Sequence, residues 1–184
     1  MHALKLLAAE HERIFELTNA LTGAAGAPSG TPKERRRTGL RLVAAGSAHE
    51  AVEEHFFWPA VRRLAGGAPL ALAGIGQETT LRDHLHELER MRAGNVHFGT
   101  AVFSIASRVR EHVAYEESQI WPQLQLALGD DALESIGAEM EKARRFAPTR
   151  PHPHTPPDAQ LLRTVGPVIG AVDRVLDAIT RRPH

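Results

Sequence analysis

The chain has 184 residues, and its 22 lysines and arginines balance its 22 aspartates and glutamates. That length fits one domain with a core that buries roughly 70% of the surface exposed by the unfolded chain. Balanced charge and scattered basic residues exclude the basic face of a typical nucleic-acid binder. Cysteine is absent, which excludes disulfides, iron–sulfur clusters and thiolate zinc sites. Any metal site must therefore use nitrogen and oxygen ligands.

Neither a secretory signal nor a membrane anchor is predicted. The N-terminal stretch MHALKLLAAEHERIF lacks the long apolar run that a signal peptide needs. No apolar run approaches the ~20 residues required to span a bilayer. We therefore expect a soluble, cytoplasmic protein with no membrane partner and no nucleic-acid partner.

The first half of the chain predicts two long helices. From Leu4 to Leu21 the apolar residues recur at helical spacing, and His11 lies on their stripe. The Gly- and Pro-rich residues 23–32 predict a loop. A second helix should begin near Thr31, an N-capping residue followed by proline, and should run to about Leu64.

The second half predicts two further long helices and a short one. The third helix covers roughly Ala71 to Arg92, and the fourth runs from about Phe98 to Leu128. Gly129-Asp130-Asp131 should end the fourth helix and cap a short fifth helix that reaches about Phe146. Short connections favour antiparallel neighbours, so we predict an all-α fold, an up-down-up-down four-helix bundle with an additional short helix.

The C-terminal residues differ in composition from the bundle. The stretch from Ala147 to Pro157 contains five prolines, which predicts an extended linker. Helical periodicity then returns and predicts an amphipathic C-terminal helix. We therefore divide the chain into a bundle (1–146), a linker (147–158) and a C-terminal helix (159–184). That helix can pack on its own bundle, on a second copy in a homodimer or on another protein partner.

A motif of eleven residues occurs twice, as HEAVEEHFFWP at His49–Pro59 and as HVAYEESQIWP at His112–Pro122, with six identical positions. Each copy places a histidine four residues before a glutamate, and such residues lie on one face of a helix. The two side chains can therefore converge on one point, most simply a metal ion. Each Trp-Pro end predicts a bend, because proline provides no N–H for the carbonyl four residues earlier.

Six polar side chains lie on predicted stripes that are otherwise apolar: His11, His49, Glu53, His84, His112 and Glu116. A carboxylate in an apolar core is costly without a partner. Two such carboxylates among four histidines need a cation. Nitrogen and oxygen ligands of this kind suit iron, although zinc or manganese would also be tolerated.

These motifs resemble the hemerythrin-like (HHE cation-binding) family. The matching segments are AEHERIFEL, HEAVEEHFFWP, LRDHLHEL and REHVAYEESQIWP, and the resemblance covers roughly residues 1–146. The Pro- and His-rich end is also similar to that of some actinobacterial members. The resemblance implies two iron ions joined by an oxo or hydroxo bridge. It also implies a ligand arrangement: bridging Glu53 and Glu116, His11 and His49 on one iron, and His84 and His112 on the other.

The third helix departs from the oxygen-carrying members, which present two histidines four residues apart. Neither residue four positions from His84 is a histidine. His86 points about 200° away around the helix and is a poor ligand candidate. Glu87, three residues from His84, faces the site better, while Glu50 is a weaker candidate. The missing imidazole argues against reversible oxygen carriage.

The leading hypothesis is a non-heme di-iron protein that binds or reacts with oxygen, nitric oxide or hydrogen peroxide. As an enzyme, it would consume peroxide or nitric oxide in a catalase- or peroxidase-like reaction. A second hypothesis is an iron or redox sensor, or an iron-handling module, that signals through the C-terminal helix. A third is a metal-free interaction bundle in which the histidines and glutamates satisfy one another. Metal content and the absorption spectrum separate these hypotheses.

Overall fold

The computed structural model describes residues 1–23, 30–92, 94–153 and 169–178. Regular structure in these ranges is helical, and no strand occurs in them. The bundle region contains these α-helices: α1 (Ala3–Thr22), α2 (Pro32–Val52), α3 (Trp58–Arg62), α4 (Gly67–Arg90), α5 (Phe98–Tyr115) and α6 (Trp121–Arg144). Residues 169–178 are also helical. No helix in the described ranges has the apolar length that a bilayer crossing needs.

Four long helices form a closed bundle. α1 packs against α2 and α5, and α4 packs against the same two helices. Each long helix therefore has two neighbours, and the order around the bundle is α1, α2, α4, α5. Short connections give this arrangement its up-down-up-down topology, while α6 packs against α1. The predicted all-α bundle is confirmed.

Local chemistry explains where α2 begins and where α6 breaks. Thr31 Oγ1 accepts a hydrogen bond from the Glu34 N–H (3.3 Å), and Glu34 Oε2 accepts one from the Thr31 N–H (2.7 Å). This reciprocal capping box confirms the predicted start of α2. Gly129 has φ 72° and ψ 171° inside α6, which confirms the predicted break before the short fifth helix.

The third long helix begins earlier than predicted. We expected its start near Ala71, but α4 begins at Gly67. Gly66 turns the chain in the left-handed conformation, with φ 73°, which glycine adopts without a steric penalty. Pro69 then falls in the first turn of the helix, where its missing N–H costs nothing. A segment that looks like a loop by composition is therefore helical.

Both copies of the motif contain a π-helical turn where we predicted a bend. The turns cover Glu53–Phe57 and Glu116–Ile120. In each turn, the backbone N–H of the tryptophan donates to the backbone carbonyl of the glutamate five residues earlier. The following proline also provides no N–H for the carbonyl four residues before it. Each π-helical turn adds one residue to the helix at this level.

A polar layer separates two apolar clusters in the core. One cluster includes Leu7 and Ile75, and the other includes Ile14 and Leu85. His11 lies on α1 about one turn from both Leu7 and Ile14. The histidines and glutamates of the copied motif fall at the same level of the bundle. The fold thus places a buried polar site between two apolar blocks that hold the helices rigid.

Part of the predicted C-terminal extension is described. Residues 147–153 are non-helical and residues 169–178 are helical, whereas the division of this end into a linker and a separate helix stays a prediction. The remainder of these two predicted elements, residues 154–168 and 179–184, lies outside the described residues. Asp173 and Asp177 are buried, and both contact Arg150. Polar pairs therefore connect the helix to the segment after α6.

Candidate metal centre

Six buried side chains converge between the four long helices: His11, His49, Glu53, Glu78, His112 and Glu116. Their potential ligand atoms form two groups, and within each group the atoms lie within 4.8 Å of one another. The first group comprises His11, His49 and Glu53, and the second comprises Glu53, Glu78, His112 and Glu116. Because Glu53 belongs to both groups, they form one continuous cluster.

Each motif glutamate lies between imidazoles from different helices. Glu53 Oε2 is 3.3 Å from His49 Nε2 and 3.6 Å from His112 Nε2. Glu116 Oε2 is 3.3 Å from His11 Nε2, and Glu116 Oε1 is 3.2 Å from His112 Nε2. The two copies of the motif, far apart along the chain, therefore contribute to a single site.

Each motif tryptophan packs against a site residue from the other half of the chain. Trp58 is buried, and its Nε1 donates to the Glu78 carboxylate. Trp121 stacks on His11 with ring centroids 5.7 Å apart and planes inclined by 12°. In a regular α-helix the tryptophan would lie about 140° from the glutamate five residues earlier. The wider π-helical turn reduces that angle, so both side chains can face the site.

Sequence reasoning did not identify Glu78. This glutamate is fully buried on α4, on a stripe that contains Ala71, Ile75, Arg82 and Leu85. Those positions have the alternating spacing of four and three residues that marks the inner face of a helix. A charged residue on that stripe was the available signal, but an overlapping stripe through Leu81 and Leu88 obscured it.

The structure does not bring His84 into the cluster. The His84 side chain is 29% exposed, and its Nε2 accepts a hydrogen bond from Arg108 Nε at 2.8 Å. His84 is six residues from Glu78, or about 240° around the helix, so these two side chains cannot share a face. Glu87 is exposed, with Oε2 3.9 Å from His84 Nδ1. His86 is half-buried and belongs to neither ligand group.

Glu50 belongs to a separate buried ion-pair network. Arg82 Nε donates to Glu50 Oε2 at 3.0 Å, and Arg82 Nη2 donates to Glu54. Burial raises the pKa of Glu50 to about 7, although Arg82 opposes the shift. The Arg82 guanidinium thus provides Glu50 with a cationic partner without a metal.

Burial and crowding oppose full ionisation of the cluster. Burial raises the pKa of Glu53 and that of Glu78, and repulsion from neighbouring carboxylates raises both further. Burial also acts to raise the pKa of Glu116, but the adjacent imidazoles outweigh it and lower that pKa. Burial lowers the pKa of His49. Burial also acts to lower the pKa of His112, but attraction to the surrounding carboxylates outweighs burial and raises that pKa to about 9.

Many polar atoms of the cluster have no hydrogen-bond partner within the described part of the chain. They include both carboxylate oxygens of Glu53 and of Glu116, both ring nitrogens of His11, and His112 Nε2. Buried groups of this kind are normally paired, and an unpaired charge is especially costly. Cations at this position would satisfy these atoms. The three imidazoles and three carboxylates are a donor set that suits iron, zinc or manganese.

An apolar cavity of about 10 Å³ adjoins the cluster. Its lining includes His11, His49 and His112 together with aliphatic side chains such as Leu81 and Leu85. Its volume is close to what one buried water needs, but apolar walls offer few partners to a water molecule.

A four-helix bundle with histidines and glutamates projecting into its centre defines a class of metal-binding proteins. The family model for the hemerythrin HHE cation binding domain matches residues 2–145. The chain therefore belongs to the hemerythrin HHE cation-binding domain family, and the resemblance seen in its motifs is confirmed.

Two relatives agree with this membership. The chain is 21% identical over 137 residues to an uncharacterized hemerythrin-like protein of Schizosaccharomyces pombe, covering 73% of this chain and 68% of that protein. It also resembles the crystal structure of a hemerythrin HHE cation binding domain-containing protein, the Rv2633c homolog from Mycobacterium kansasii. That match has a TM-score of 0.66 and 21% identity, covering 94% of this chain and 99% of the other. The structural likeness supports the hemerythrin-like fold.

Proposed function

We propose that this chain holds two iron ions and uses them to bind or consume oxygen, nitric oxide or hydrogen peroxide. The observation that carries the proposal is the buried cluster of three imidazoles and three carboxylates. Many of its polar atoms have no hydrogen-bond partner among the described residues. Ordinary core packing does not account for such an arrangement, whereas two cations would satisfy it.

Geometry suggests how the ligands divide between the ions. His11 and His49 would hold one ion, Glu78 and His112 the other, and Glu53 and Glu116 would reach both. Glu78 thus takes the place proposed for His84 from the sequence. Three carboxylates offset much of the charge of two divalent ions in a medium of low dielectric constant. Nitrogen and oxygen donors in this mixture favour iron.

Iron, when bound, supplies a Lewis acid and a centre for electron transfer. The chain would hold the donors on rigid helices and restrict access to the site. The apolar cavity, lined by Leu85 among others, would exclude larger substrates and keep bulk water from the imidazoles. An extra carboxylate in place of a further imidazole favours reaction with an oxidant over reversible carriage.

A second candidate function is an iron or redox sensor. A surface pocket is lined by Glu50 and Arg82 of the bundle and by Arg150 and His152 of the C-terminal segment. The bundle side of this pocket includes Glu50 and Glu54, which directly follow the proposed ligands His49 and Glu53 in the sequence. Metal loss could therefore loosen the C-terminal segment and make it available to a partner.

Iron quantification and an absorption spectrum of the full chain, before and after peroxide, test the proposal. We expect two ions per chain, near-ultraviolet absorption that responds to peroxide, and loss of both signals in Glu53→Gln. Glu87→Gln is the matched control, because this glutamate is exposed and outside the cluster. A wild-type chain that takes up no iron overturns the proposal. Bound iron that is inert towards peroxide and nitric oxide, with metal-dependent hydrogen exchange in residues 169–178, favours the sensor.

A further inference from the structure

The two halves of the site carry equivalent dipeptides in front of the copied motif. Glu10-His11 lies on α1, and Gln77-Glu78 lies on α4. In each dipeptide the second residue belongs to the buried cluster. The first residue contacts the motif histidine on the next long helix of the chain. The duplication of the site therefore extends beyond the motif itself.

Both contacts involve Nδ1, whereas Nε2 of each ring faces the motif glutamates Glu53 and Glu116. His49 Nδ1 is 3.1 Å from Glu10 Oε2, and His112 Nδ1 is 3.1 Å from Gln77 Oε1. An acceptor at Nδ1 keeps the proton there and leaves Nε2 free to bind a metal. Glu10 is buried, and its second oxygen forms an ion pair with Arg144, with 2.8 Å between Oε1 and Nε. Arg144 therefore holds Glu10 in place.

The charged residue changes position between the two dipeptides. In the first half the carboxylate of Glu10 contacts the imidazole, and the ligand His11 is neutral when it binds a metal. In the second half the amide of Gln77 contacts the imidazole, and the ligand Glu78 carries the charge. Each dipeptide thus brings one carboxylate to its metal position, either directly or through a histidine.

We propose, on the basis of the function proposed above, that Glu10 is a positioning residue that balances Glu78 by delivering negative charge through His49. A carboxylate bonded to the far nitrogen of a metal-binding histidine fixes the ring and strengthens it as a ligand. Without Glu10, the ion at His11 and His49 would be bound more weakly than the ion at Glu78 and His112. With it, the two positions have comparable affinity.

The variant Glu10→Gln tests this role in the full chain, with Zn²⁺ and Fe²⁺ as separate probes. Glutamine keeps the shape and an acceptor oxygen, so a purely structural role predicts no change. Loss of charge predicts about 10- to 100-fold weaker binding of one ion, so that a graded chelator removes it first. Metal per chain at each chelator concentration is the measurement. Glu12→Gln is the control, because Glu12 is exposed on the same helix.

Two further variants keep the test decisive. Gln77→Glu adds a carboxylate at the equivalent position and should tighten the other ion by about 10-fold or more. The double variant Glu10→Gln/His11→Glu recreates the Gln-Glu dipeptide of the second half and should recover the ion lost in Glu10→Gln.

The outcomes are distinguishable. Equal chelator resistance of wild type and Glu10→Gln, or simultaneous loss of both ions, overturns the role of Glu10 and leaves the metal site intact as a proposal. No tightening in Gln77→Glu also counts against it. A wild-type chain that binds neither Zn²⁺ nor Fe²⁺ overturns this inference and the proposed function together. Unfolding of the metal-free variants, followed by circular dichroism, shows whether each one is folded.

Discussion

The two halves of the bundle share the copied motif, but the helix before each copy contributes a different residue to the cluster. The first half presents His11 to the cluster, and the second presents Glu78 at the corresponding place. Trp58 directs its N–H to the carboxylate of Glu78, whereas Trp121 places its ring face on the imidazole of His11. The indole of Trp58 thus donates a hydrogen bond to a carboxylate, and the indole of Trp121 stacks on an imidazole. The copied helices set the positions, and the residue on the preceding helix sets the charge.

The motif histidines also differ between the halves. Burial lowers the pKa of His49, whereas the carboxylates around His112 outweigh its burial and raise its pKa to about 9. Without a metal, His112 should therefore keep its proton to a higher pH than His49. The same carboxylates that would attract a cation there attract protons in its absence. Metal binding and protonation thus compete at His112, and also at Glu53 and Glu78, whose pKa values are raised as well.

The largest expected effect distinguishes Glu78 from His84 as the ligand that α4 contributes to the site. Glu78→Gln removes a proposed ligand and should weaken one ion more than the about 10- to 100-fold typical of residues that act through a ligand. His84→Gln should leave both affinities unchanged, because His84 is partly exposed and bonded to Arg108. Calorimetric titration of the metal-free variants with Zn²⁺ measures both constants. The opposite ranking would remove Glu78 from the site.

Most of the cluster could be predicted from the sequence because repetition reduced the ambiguity. The copied motif placed His49 with Glu53 and His112 with Glu116 on single helix faces. His11 followed from its position on a clear stripe on α1. Five of the six clustered residues were thus accessible from spacing alone, without any knowledge of how the helices pack.

The phase of α4 could not be predicted in the same way. Leu81, Leu85 and Leu88 are all buried, so stripes drawn through different pairs of them point in different directions. Spacing favours His84 on one stripe and Glu78 on another. The choice depends on tertiary packing, which places Glu78 beside the side-chain N–H of Trp58. The π-helical turns have a similar origin, since proline predicts a lost hydrogen bond but not which carbonyl is bonded instead.

A second prediction concerns the pH dependence of the metal-free chain. The pKa of His112 is about 9 in the folded chain, against about 6.5 for an unperturbed histidine. Between these values the folded state binds a proton that the unfolded state does not. The contribution of His112 to the free energy of unfolding is therefore fully present below the lower value. It is lost as pH rises towards the higher value, by up to about 1.4 kcal/mol per pH unit. The raised pKa of Glu53 and that of Glu78 act in the same direction.

Denaturant unfolding of the metal-free chain at pH 7, 8 and 9 measures this slope. His112→Gln should reduce it. His49→Gln should have little effect, because the lowered pKa keeps folded His49 neutral in this range and an unfolded histidine is mostly neutral there. Bound metal should flatten the slope in the wild type, since it displaces the protons. An unchanged slope in His112→Gln would assign the proton to another group and weaken the contrast between the halves.

The smallest effect compares the two tryptophans. Trp58→Phe removes the donor to Glu78 and leaves a buried acceptor unsatisfied, whereas Trp121→Phe removes an N–H that has no partner among the described residues. We expect Trp58→Phe to cost about 1 kcal/mol more, at the low end of the penalty for a buried unsatisfied group. Because Trp58 is also more deeply buried, a double-mutant cycle with Glu78→Gln must separate the hydrogen bond from packing. Denaturant unfolding of the metal-free variants gives the coupling energy. A coupling near zero would mean that Trp58 only fills space, and the two indoles would then differ in depth but not in chemistry.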